Sequence, residues 1–105
     1  MKDRLFWSNG KIINSFDFKV HGLSPTAQFG INVFEGIRAY RHSSSGKLML
    51  FRFDDHYERL LESCEGIGIE LNYTNQELID GIINLTSENN FNGDVAYRII
   101  VYLDS

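Results

Sequence analysis

The chain has 105 residues, which is enough for one small domain around one core. A hydrophobic fraction of 43%, with 8 Phe and 5 Tyr, excludes a disordered tail. A formal net charge of −4 with no basic stripe argues against a nucleic-acid partner, and singly scattered Lys and Arg argue against a membrane surface.

In chain order, the first residues hold no apolar run long enough for a signal peptide or a membrane span. Leu5-Phe6-Trp7 and Lys11-Ile12-Ile13 flank Asn9-Gly10, a pair that adopts the positive φ angles of a tight turn, so the chain opens with a β-hairpin. Residues 15–30 carry the lone proline, Pro25, and read as a crossing loop with a short helical turn between Thr26 and Phe34. Ile37 to Tyr40 and Leu48 to Phe51 read as two strands joined by Ser43-Ser44-Ser45-Gly46.

A helix follows, with Asp54 or Asp55 as its cap. Tyr57, Leu60, Leu61 and Cys64 have the spacing of one buried face, and Gly66 and Gly68 end it. Thr74 and Glu77 form a capping box for a second helix whose Leu78, Ile79, Ile82, Ile83 and Leu85 face the core. Val95 to Leu103 is a long strand, apolar on both faces, which predicts a place near the centre of a covered sheet. Strands, then two helices, then a strand predict an α+β two-layer sandwich: a mainly antiparallel sheet with two helices on one face. The final strand meets Asp104-Ser105 with no turn or tail, which reads either as a cut through a longer protein or as a small domain ending on a strand.

Few residues carry chemistry on their own terms. Cys64 has no partner for a disulfide and lies on an apolar helix face, which suits core packing in a reducing cytoplasm. His21, His42 and His56 lack metal-ligand spacing. Gly66-Ile-Gly68 has Leu71 at the third position of a dinucleotide fingerprint and follows a helix, so it is discarded. Arg98 sits in an apolar strand, where it is either half of a structural ion pair or a receptor for a carboxylate or phosphate. His56 and Arg59 lie on the side of their helix away from the apolar residues, as a solvated face or a site. Phe29 and Phe34 suit a core or a pocket wall. Gly36 permits close approach of a ligand or simply starts a strand.

Several blocks, in this order and at these separations, resemble the branched-chain aminotransferases of the class IV pyridoxal-phosphate family. They are Asn9-Gly10-Lys11, Lys19-Val20-His21, Phe29-Gly30, Val33-Phe34-Glu35-Gly36-Ile37-Arg38-Ala39-Tyr40 and Phe51-Arg52-x-x-x-His56-x-x-Arg59-Leu60. The resemblance implies that residues 1–105 form the small N-terminal domain of a two-domain, dimeric enzyme, with pyridoxal 5'-phosphate held between this domain and a C-terminal one. It implies that Arg59 contacts the cofactor phosphate, that Phe29, Phe34 and Gly36 wall the substrate side-chain pocket, and that Arg98 lies near the substrate carboxylate. The implied substrates are a branched-chain or other apolar amino acid and 2-oxoglutarate. The D-amino-acid aminotransferases and aminodeoxychorismate lyases share this fold and are the rival activities; a non-catalytic α+β binding module is the rival from another class.

Two departures bear on substrate. Ala96 and Ile99 stand where many branched-chain enzymes have Tyr and Pro, and Phe29 lacks the hydroxyl of a commoner tyrosine. The family's cofactor-bearing lysine and the carboxylate for the pyridine nitrogen come from the C-terminal domain. Lys2, Lys11, Lys19 and Lys47 match no such position, so residues 1–105 alone are expected to be inert, with no catalytic residue of their own.

Overall fold

The computed structural model describes residues 4–104; Lys2 and Ser105 lie outside the described residues. The hairpin forms as expected: β1 (Leu5–Ser8) pairs antiparallel with β2 (Lys11–Asn14), and Asn9 and Gly10 both take positive φ, 49° and 84°. A 3-10 turn at Ser15–Asp17 leads into the crossing segment. There a short helix, α1 (Pro25–Phe29), is capped by the Ser24 hydroxyl and stopped by Gly30 at φ 66°. Thr26 ties this segment to the far end of the chain, since its hydroxyl accepts from the Leu103 N–H at 2.7 Å.

The main sheet has three antiparallel strands in the order β4 (Leu48–Leu50), β3 (Asn32–Arg41), β5 (Val95–Tyr102). The central strand is longer than its apolar run suggested. It begins at Asn32, inside the stretch expected to be a helical turn, because eight consecutive residues pair with β5. The helices α2 (Phe53–Gly66) and α3 (Asn75–Glu88) cover one face. A least dimension of 19 Å matches one sheet layer and one helix layer. The α+β class and the antiparallel pairing hold, with the hairpin as a separate two-stranded sheet packed on α3.

The core lies between the helices and the inward residues of β3. Ile37, Ala39, Phe53, Leu60, Cys64, Leu78 and Ile82 are buried, flanked by Val33, Tyr97, Ile99 and Val101. Three expectations are corrected here. The α2 cap position is Arg52 in the left-handed region at φ 52°, with no side-chain cap, so Asp54 and Asp55 fall inside the first turn, where they favour the positive end of the helix dipole. Ile83 is exposed beside a shallow groove lined by Leu48 and Leu50; Gly81, against Trp7, and Thr86 take the buried places instead. And β5 pairs with β3 alone among the described residues, so it is an edge strand whose outward residues, Ala96, Arg98 and Ile100, are exposed. Its outer positions are not covered by any of the described residues.

Candidate functional site

Strand alternation sorts the expected site residues onto two sides of β3. Val33, Glu35, Ile37 and Ala39 point to the helices; Phe34, Gly36, Arg38 and Tyr40 point to the bare face.

On the helix side, Glu35 is the meeting point. It is 6% exposed among apolar neighbours, and an unpartnered carboxylate there would be costly. His56 and Arg59, three apart on α2, both reach it. The Arg59 Nε–H is shared between the two carboxylate oxygens at 3.1 and 3.0 Å, and Nη2 donates to Oε1 at 2.9 Å. The His56 ring lies with Nδ1 2.8 Å from Oε1; an ionised carboxylate only accepts, so Nδ1 carries the hydrogen. The Arg59 bonds, supported by His56, hold the Glu35 carboxyl below the usual carboxylate range against the opposing effect of burial. The same contact with Glu35 raises the Arg59 guanidinium above its ordinary value, so it stays charged. Arg59 is not the free solvated cation that its helix position suggested. Its side chain is nonetheless 65% exposed, and no protein group holds its Nη1 edge among the described residues.

On the bare face, register brings three expected residues together. Gly36 is the partner of Arg98, and Phe34 the partner of Ile100. The Arg98 guanidinium carbon lies 4.8 Å from the Phe34 ring centroid, a cation–π contact. Arg98 makes no salt bridge to a carboxylate among the described residues, and its strand position is exposed. A Cβ at Gly36 would meet no atom within 4 Å, so the glycine flattens the face beside Arg98 and is not forced by packing. Tyr40, Met49, Phe51 and Ile100 extend this exposed apolar surface. Phe29 stands apart at the end of α1, 73% exposed and in no aromatic pair among the described residues.

The two clusters lie on opposite faces of β3, one edge of which is open. β4 pairs only with Ala39–Arg41, and Phe51 adds a bond to the Arg38 carbonyl, so the β4-side edge of β3 from Asn32 to Ile37 has no strand beside it. Arg59 reaches the helix side of β3 through Glu35, and Arg98 with Phe34 lies on its bare face. Each guanidinium suits an anionic group, and the aromatic surface beside Arg98 suits an apolar or planar body. The residues present therefore fit a phosphorylated aromatic cofactor with a carboxylate-bearing substrate. The one residue of this arrangement that sequence reasoning missed as a partner is Glu35. Its signal was there: a single acid at an inward position of an apolar alternation. Burial lifts the Cys64 thiol, which keeps it an unreactive core residue. No helix among the described residues is long and apolar enough to cross a membrane, and no acidic, His and Cys cluster among them could hold a metal.

A family model described as Amino-transferase class IV matches residues 32–105. The chain is 44% identical over 82 residues to a D-alanine aminotransferase of Staphylococcus epidermidis, covering 78% of this chain and 27% of that protein. The branched-chain aminotransferase of Thermoproteus uzoniensis, solved with norvaline, superposes with a TM-score of 0.88 at 36% identity, over 99% of this chain and 34% of that one. The branched-chain enzyme of Thermobaculum terrenum in its PLP form superposes at 0.79 with 31% identity, over 95% and 33% of the two chains. The chain spans about a sixth to a third of the length of the curated relatives that it matches.

Proposed function

Since the chain belongs to the class IV aminotransferase family, we propose that it is the N-terminal domain of a pyridoxal-phosphate-dependent enzyme that moves an amino group between an apolar amino acid and 2-oxoglutarate. The observation that carries this reading is the pair of arginines on opposite sides of one strand, Arg59 clasped by Glu35 and Arg98 laid on Phe34. Arg59 holds the cofactor phosphate through its outward Nη1 edge. Arg98 holds a substrate carboxylate, and Phe34, Phe29 and the flat surface at Gly36 take the apolar side chain. When bound, pyridoxal phosphate supplies the electron sink that allows the α-proton to leave. Residues 1–105 orient the two anionic ends and exclude water; the lysine that moves the proton belongs to a C-terminal domain.

Each active site is built in a cytoplasmic homodimer, a location that suits a lone buried thiol. A second reading keeps the cofactor and changes the substrate. The 44% identity to a D-alanine aminotransferase exceeds that to either branched-chain enzyme, and it favours a small D-amino acid as donor.

Steady-state kinetics on the full-length protein separate the two. Leucine, isoleucine or valine should be the best donors with 2-oxoglutarate, and preference for D-alanine would promote the second reading. Borohydride reduction followed by peptide mapping should place the phosphopyridoxyl group on a lysine outside residues 1–105. An adduct on Lys11, Lys19 or Lys47 would overturn the assignment of roles.

A further inference from the structure

We infer that Glu35 is a positioning residue for anion binding: it holds the Arg59 guanidinium by its Nε and Nη2 side, so that only the Nη1 edge is presented outward. This deepens the reading of Arg59 given above and rests on it. Arg59 is anchored at its inner side by three contacts to one carboxylate, all between 2.9 and 3.1 Å, while most of the side chain remains exposed. An exposed arginine without such an anchor samples many rotamers and must lose them on meeting an anion. A preorganised fork has lost them already.

The anchor itself is fixed. Glu35 lies mid-strand in β3 with its side chain buried, and His56 occupies Oε1 from one turn earlier on α2. The charge of Glu35 opposes an anion, but the guanidinium lies between the two, with its committed donors turned inward and its uncommitted donors outward. Asp55, the other acid that acts on Arg59, is bonded to Arg52 at 2.8 Å. The geometry therefore favours orientation over charge cancellation as the contribution of Glu35.

The test compares binding of pyridoxal 5'-phosphate and of pyridoxal, which lacks the phosphate, to full-length apo-protein by absorbance titration. Arg59→Ala should remove most of the preference for the phosphorylated form. Glu35→Gln, nearly the same shape, should lower that preference about tenfold while leaving pyridoxal affinity unchanged. In the Arg59→Ala background, Glu35→Gln should have no further effect on the preference. A preference that is unchanged or increased in Glu35→Gln, with Arg59→Ala behaving as expected, overturns this inference alone. An unchanged preference in Arg59→Ala overturns the assignment of Arg59 itself. Equal loss of both ligands in Glu35→Gln would mark a purely structural role and also overturn the inference.

Discussion

Arg98 lies across the face of Phe34, its guanidinium carbon 4.8 Å from the ring centroid. Register explains the contact: Phe34 and Gly36 lie on one face of β3, and Arg98, opposite Gly36, reaches diagonally to the ring. The ring thus sets where the cation points. Replacing Phe34 by Leu keeps an apolar surface and removes the π-face, a contact that contributes about 0.5–1 kcal/mol when exposed. In the full-length enzyme, Phe34→Leu should raise the amino-acid KM by roughly two- to fivefold with a smaller change in kcat. An unchanged KM would reduce Phe34 to a pocket wall.

The clasp at Glu35 predicts a pH signature. Its carboxyl titrates below the usual range in the folded protein because Arg59, foremost, favours the ionised form. The unfolded chain holds its proton more tightly, so the stabilisation is fully present above the ordinary carboxylate value. It is lost as pH falls through the depressed folded value. Glu35→Gln cannot titrate. The Tm gap between wild type and this variant should be constant near neutrality and shrink below about pH 4. Thermal melts across that range decide it; a gap that persists in acid would show that the amide fails for steric reasons.

Gly81 lies in mid-helix, where alanine normally stabilises by about 1 kcal/mol. Here an added Cβ would stand 2.8 Å from the Trp7 indole nitrogen and 2.9 Å from Cε2. Trp7 is itself packed edge-on against Tyr73 at 5.2 Å and has little room to retreat. Gly81→Ala should therefore destabilise the full-length protein by about 1–2 kcal/mol net. Denaturant unfolding with an unchanged m-value is the check, and a stabilised variant would mean that the hairpin slides freely over α3.

Ala96 lies on the bare face two residues before Arg98 and opposite Arg38, and Phe29 is exposed at the end of α1. Neither side chain carries a hydroxyl, so on the function proposed above a dicarboxylate would find no donor from them. Phe29→Tyr combined with Ala96→Tyr should lower the KM for 2-oxoglutarate more than that for leucine in the full-length enzyme, by roughly three- to tenfold for one added hydrogen bond. Equal changes in both would show that the added rings act by bulk alone.

Elements specified by neighbouring residues are legible in the amino-acid sequence. Asn9-Gly10 turns the hairpin because both residues tolerate positive φ. Thr74 and Glu77 exchange hydrogen bonds with each other's backbone as a capping box does, at 3.1 and 2.9 Å. Leu60 and Cys64 are buried as their spacing required. These signals involve residues within about one turn of each other, so local sterics and hydrogen bonding decide them. Arg52 shows where even local reading stops: its left-handed conformation displaced the expected aspartate cap, and nothing in an arginine announces a positive φ.

Residue order and spacing were enough for the α+β class, the hairpin and two helices. How the site residues are used depends on the packing of distant elements. β5 reads as a central strand because both its faces are apolar, yet among the described residues it pairs on one side alone and has one face bare; periodicity records which residues are apolar and not what covers them. Arg59 reads as a solvated cation because helix spacing puts it opposite the core. Its partner is Glu35, 24 residues earlier on another element, and a pairing at that distance is fixed by how α2 docks on β3. Local sequence sets each side chain's direction relative to its own backbone. Which charges meet depends on the packing of one element against another.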